Sequence, residues 1–182
     1  LVRLYGEDVG RQTADRLRAR LAAFEGKMAS TDRHTGRSFT EKDIVVITYA
    51  HQLRRPGEPP LVTLREFFTQ HLADVITIVH ILPFYPYSSD DGFSVVDYTA
   101  CDPELGTWAD IEQFDGEGFR LMFDAVINHV SAQSEWFRAF KAGDPRYRDY
   151  FITVDPSAAD LSRVIRPRAL PLLTAVEPAM GT

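Results

Sequence analysis

Three apolar runs limit the fold of this chain more than any other feature: DIVVITY over 43–49, VITIVHIL over 75–82 and RLMFDAVINHV over 120–130. The first two are short, nearly unbroken and rich in β-branched residues. Such runs fit strands covered on both faces, as in a parallel sheet. One-sided helical patterns separate them. RQTADRLRARLAAFE, 11–25, sets Ala14, Leu17, Leu21 and Phe24 at helical spacing. TLREFFTQHL opens with Thr63 and carries Glu66 at capping-box distance, with Leu64, Phe67, Phe68 and Leu72 as its apolar stripe. TWADIEQF starts a further helix with Thr107 as N-cap, and SEWFRAFKAG makes a short one stopped by Gly143. RHTGRS and RRPGEPP are polar, turn-forming connections. A helix followed by strand–helix–strand–helix–strand predicts an α/β fold of parallel β/α units. Three strands do not finish such a sheet.

Composition narrows the partners. The chain has 182 residues, enough for one sizeable core or two small ones. Its net charge of −6, with acids spread along the chain, argues against a nucleic-acid partner. No apolar span is long enough to cross a bilayer, and no basic-then-apolar leader opens the sequence, so no membrane partner is expected. A single cysteine, Cys101, excludes an internal disulfide framework and fits a reducing, cytoplasmic setting. Leu1 at the start and AVEPAMGT at the end read as the ends of a piece of something longer.

Ligand sites in parallel β/α architectures lie at the carboxyl ends of the strands. Three stretches qualify: TYAHQ, PFYPYSSDDGFSVVDY and DAVINHVS. In the third, a regular strand would put Asp124 and Asn128 on one face and His129 on the other. An acid within an apolar strand needs a partner, expected to be an arginine in the core. Asp124 is then either half of a structural ion pair or a site residue, and His129 either a satisfied structural histidine or a ligand group. The second stretch sets Phe84, Tyr85, Tyr87 and Phe93 beside Asp90 and Asp91. Rings stack on the C–H faces of sugars and carboxylates accept from their hydroxyls. The competing reading is rim packing around an SSDDG turn. Two neighbouring acids supply too few oxygens for a hard-cation cage, and there is no zinc-type cluster, phosphate-cradling glycine loop or G-x-S-x-G elbow. No metal and no cofactor are expected. Trp108 and Trp136 read as packing residues.

DAVINHVS resembles the first signature region of the α-amylase superfamily, glycoside hydrolase family thirteen, with its Asp–x–x–x–Asn–His pattern. HILPFYPYSSDDGFSVVDY followed by DPELGTWADIEQF resembles the sucrose phosphorylase subfamily and its relatives that phosphorolyse glucosylglycerate. The similarity runs from about Leu4 to about Leu173. It implies about three β/α units of a (β/α)8 barrel over 1–154, then the start of the domain B excursion over 155–182, where DLSRVIRPRALPLLT is similar to that excursion. It also implies a retaining double displacement on an α-glucosyl bond, with inorganic phosphate as co-substrate and α-glucose 1-phosphate as product. On matching positions, Asp90 holds the far hydroxyl of the glucose, Phe93 is the aromatic platform beneath it and His129 bonds its primary hydroxyl. Asp124 orients an active-site arginine and Asn128 supports the site. Asp91 and Tyr98 form a second tier. The family's nucleophile, acid/base and transition-state carboxylates follow later strands, and no Arg–x–Asp follows a fourth strand here. A full barrel takes about 250 residues, so the resemblance implies a glucose half-site without catalytic residues, inactive alone. The alternatives are an α-glucosidase or transglucosylase of the same superfamily, or a non-catalytic sugar-binding piece.

Overall fold

The computed structural model describes residues 1–28, 39–158, 160–165 and 172–177. RHTGRS and much of the expected domain B stretch lie outside the described residues. The chain divides into two compact units, 1–40 and 41–182.

In the first unit, helix α1 (Val2–Tyr5) turns at Gly6, φ 78°, into the long helix α2 (Glu7–Met28). A side chain at Gly10 would lie 2.4 Å from the Val2 backbone, so α1 folds closely onto α2 only because that position is glycine. The expected helix is present and longer than its stripe suggested. Leu17, Leu21 and Phe24 of that stripe are exposed, because among the described residues of this unit α2 packs only against the short helix α1.

The second unit carries a parallel sheet in the order β1 (Val45–Thr48), β2 (Ile78–Ile81), β3 (Arg120–Phe123). Helix α3 (Pro60–His71) and helix α4 (Trp108–Gly116) form the two crossovers, and α5 (Glu135–Lys141) follows. Register sets Val46, Val79 and Leu121 side by side, and Thr48, Ile81 and Phe123 likewise. On that face Val79 and Ile81 pack in one core with Leu61, Leu64 and Phe68 of α3 and Ile111 and Phe114 of α4. The opposite face holds Ile47, His80 and Met122 in one row, and there Ile47 is 63% and Met122 40% exposed. A strand buried on both faces would show neither.

Local signals held unevenly. Thr107 caps α4 with a complete capping box to Asp110, and Ser134 caps α5, which Gly143 ends at φ 79°. Thr63 caps nothing. α3 starts earlier, at Pro60, because proline at a first helical position needs no amide partner. Thr63 is then one turn inside and its hydroxyl donates to Glu58 at 2.6 Å. The α3 stripe accordingly runs through Leu61, Leu64 and Phe68, while Phe67 is exposed over His71.

Candidate functional site

The expected strand over 120–130 ends at Phe123. Beyond it the chain leaves the ladder, so Asp124 stands at the carboxyl end of β3 and the strand-based assignment of faces to Asn128 and His129 lapses. Among the described residues the partner of Asp124 is a histidine, not an arginine. His80 in β2 donates from Nε2 to its Oδ2 at 2.9 Å, and both side chains are partly buried. Tyr85 is close enough that the Asp124 charge adds to burial in raising its phenol pKa. The sequence itself carries a signal for His80. Two polar residues in neighbouring apolar strands are the natural partners for each other.

The loop after β2 is built to present Asp90 and Phe93. Asp90, Asp91 and Gly92 have consecutive positive φ values of 61°, 48° and 98°. Aspartate tolerates this region, but a side chain at Gly92 would meet the Pro83 carbonyl at 2.6 Å. Left-handed backbone at adjacent carboxylates is held by its surroundings and is concentrated at functional sites. Here those surroundings are the Phe93 amide on the Asp90 carbonyl at 2.9 Å, the Val96 amide on the Pro86 carbonyl at 2.7 Å, and the Tyr87–Val95 bridge. The Ser88 and Ser131 hydroxyls, 2.7 Å apart, tie this loop to the segment after β3, as does the Ser131 amide on the Val95 carbonyl.

The rings of the loop divide. Phe84 is fully buried, edge-on to Trp108 at 5.1 Å and to Phe123 at 5.2 Å, so it belongs to the core. Phe93 stays partly exposed. His129 joins it: Nε2–H donates to the Phe93 carbonyl at 2.9 Å. A carbonyl only accepts, so this bond assigns the proton to Nε2 and leaves Nδ1 as the acceptor of the neutral ring. Asp90 is exposed next to this pair, and Asn128 is exposed beside His129. Asp91 is exposed and lines a different cavity, of about 90 Å³, with Tyr49, His51, Arg54 and Tyr87. Trp136 lies flat on Tyr98, ring centres 5.3 Å apart. The loops after β2 and β3 thus bring together a partly exposed aromatic ring, an imidazole held through Nε2 and a carboxylate, a set suited to a polyol. Among the described residues no group of three or more His, Cys, Asp or Glu is placed to hold a metal ion, and no helix is long and apolar enough to cross a membrane.

The description "Alpha amylase, catalytic domain" matches residues 70–171. The glucosylglycerate phosphorylase of Spirochaeta thermophila is 52% identical over 181 residues, 98% of this chain and 30% of that protein. That of Allomeiothermus silvanus is 56% identical over 143 residues, 79% of this chain and 25% of that protein. Among solved structures, sucrose 6F-phosphate phosphorylase from Thermoanaerobacter thermosaccharolyticum superposes with a TM-score of 0.52 at 34% identity, covering 64% of this chain and 22% of that one. The chain therefore spans under a third of the length of these relatives.

Proposed function

The chain belongs to the alpha-amylase catalytic-domain family, and from that premise we propose that it supplies the glucose-binding part of a glucosyl phosphorylase acting on glucosylglycerate. The observation that carries this reading is the meeting of Phe93 and His129 at the carboxyl rim of the sheet, beside Asp90. The identity gradient supports the choice of substrate: 52% and 56% to two glucosylglycerate phosphorylases against 34% to the sucrose 6F-phosphate enzyme.

In this reading Phe93 lies under the glucosyl ring and excludes water from its apolar face. Nδ1 of His129 accepts from the primary hydroxyl, because Nε2–H is already engaged. Asp90 accepts from the far hydroxyl, and the left-handed backbone of the turn aims its carboxylate. Asp124, fixed by His80, orients an arginine, and Asn128 supports that segment. These groups bind and orient the sugar. The carboxylates that break and re-form the glycosidic bond have no counterpart at matching positions of this sequence, so the chain by itself is inactive. Phosphate is the co-substrate, no cofactor or metal takes part, and the enzyme is cytoplasmic.

Incubation of the full-length gene product with glucosylglycerate and phosphate should release α-glucose 1-phosphate, with slower turnover of sucrose. Release of free glucose at a rate unchanged by omitting phosphate would instead mark a hydrolase. Turnover by residues 1–182 alone would overturn the claim of inactivity.

A further inference from the structure

We infer that Tyr98 is a positioning residue for the glucose seat, acting through the backbone of 126–129 and not on the sugar. This rests on the reading of Phe93 and His129 as sugar-binding residues. The Tyr98 hydroxyl donates to the carbonyl oxygens of Val126 at 2.5 Å and His129 at 3.1 Å. A phenol has one hydrogen, so the two carbonyls share it in a three-centre bond. The ring is held from two sides, stacked on Trp136 with planes 21° apart and tilted against Tyr85 at 5.8 Å. Burial keeps the phenol protonated well beyond neutral pH, so the donor persists.

The β3 ladder stops at Phe123, and Tyr98 takes over two of the carbonyls beyond it. His129 is then gripped twice by the loop after β2. The Phe93 carbonyl accepts from its ring and the Tyr98 hydroxyl binds its backbone. One hold alone leaves the imidazole free to swing about its own Cα. Two holds fix the imidazole relative to the Phe93 backbone, as a sugar bound by both residues requires.

The test is Tyr98→Phe in the full-length gene product, which keeps the ring and its stacking and removes the hydrogen. The expected result is a KM for the glucosyl donor raised about tenfold, with kcat within about threefold and the KM for phosphate unchanged. The His129 Nε2–H resonance, assigned through His129→Gln, should also exchange with solvent faster than in the wild type. Trp136→Leu loosens the ring but leaves the hydroxyl, and should raise the donor KM by a smaller factor. An unchanged donor KM with an unchanged imidazole N–H exchange rate in Tyr98→Phe overturns the inference. So does a fall in kcat at constant KM, which a reduced folded fraction would produce. If the wild-type protein forms no glucose 1-phosphate, the functional reading fails, and the imidazole exchange still decides the role of Tyr98.

Discussion

At the amino-terminal end of the sheet, Asp43 pairs with Arg120 across β2, and the Asp43 side chain is only 3% exposed. At the carboxyl-terminal end, His80 pairs with Asp124, with the Asp124 side chain 25% exposed. Both ends hold a charge-bearing pair, but the settings differ. The lower pair is the more enclosed, and the loop beside it, before β3, has its positive φ at a glycine, Gly118. The upper pair opens onto a rim where two aspartates sit in left-handed conformation and a histidine is aimed by a carbonyl. In parallel β/α folds the lower end serves stability and the upper end carries chemistry. The same kind of interaction thus answers to different demands according to the strand end at which it lies.

Substitutions can break this contrast. Phe114→Ala, in the core that serves both ends, sets the scale: Phe114 is fully buried against Phe68 and Phe119, and its loss should lower the unfolding free energy by about 3–5 kcal/mol in urea. Asp43→Ala should cost about 3 kcal/mol, because it removes the buried carboxylate from its pair with Arg120. A loss below about 1 kcal/mol would show that the lower pair is not structural. Gly92→Ala forces a side chain onto Pro83 at positive φ and should cost about 2 kcal/mol. Asp124→Asn should cost only about 1 kcal/mol, since the amide oxygen still accepts from His80. A stability loss matching that of Asp43→Ala would erase the difference between the ends.

The smallest effect concerns Cys101, in the loop after β2. Burial, followed by the charges of Asp102 and Asp110, pushes its thiol up to about 11. Alkylation at pH 8 should therefore run on the order of a hundredfold slower than for a free thiol. The folded state favours the protonated thiol. Its contribution to stability is full below the unfolded thiol pKa and fades as pH rises toward about 11. An alkylation rate equal to that of the unfolded chain would contradict this.

Much of the fold is legible locally. Thr107 and Asp110 lie within one helical turn of each other, so the cap of α4 can be read directly. The alternation of apolar runs with one-sided helices predicts parallel β/α units, and the sheet is parallel in chain order. The strand from 120 to 130 misled because periodicity does not register a hydroxyl from another loop, and Tyr98 captures the carbonyls that a longer ladder would have used. Thr63 misled because a capping box and a proline at the first helical position compete, and the proline acts first in the chain.

By itself the sequence determined the order of the elements, the cap of α4, the loop that carries acids and rings, and the family. These depend on residues close together or on patterns with a fixed period. Only the tertiary structure decided that Phe84 is core while Phe93 stays partly exposed, that Asp91 lines a separate cavity, and that Asp124 meets His80. His80 and Asp124 are 44 residues apart and adjacent only because β2 and β3 pair in one register. A one-residue slip would turn every side chain of β3 to the other face. The hydrophobic core sets that register, and the polar pair at the rim follows from it.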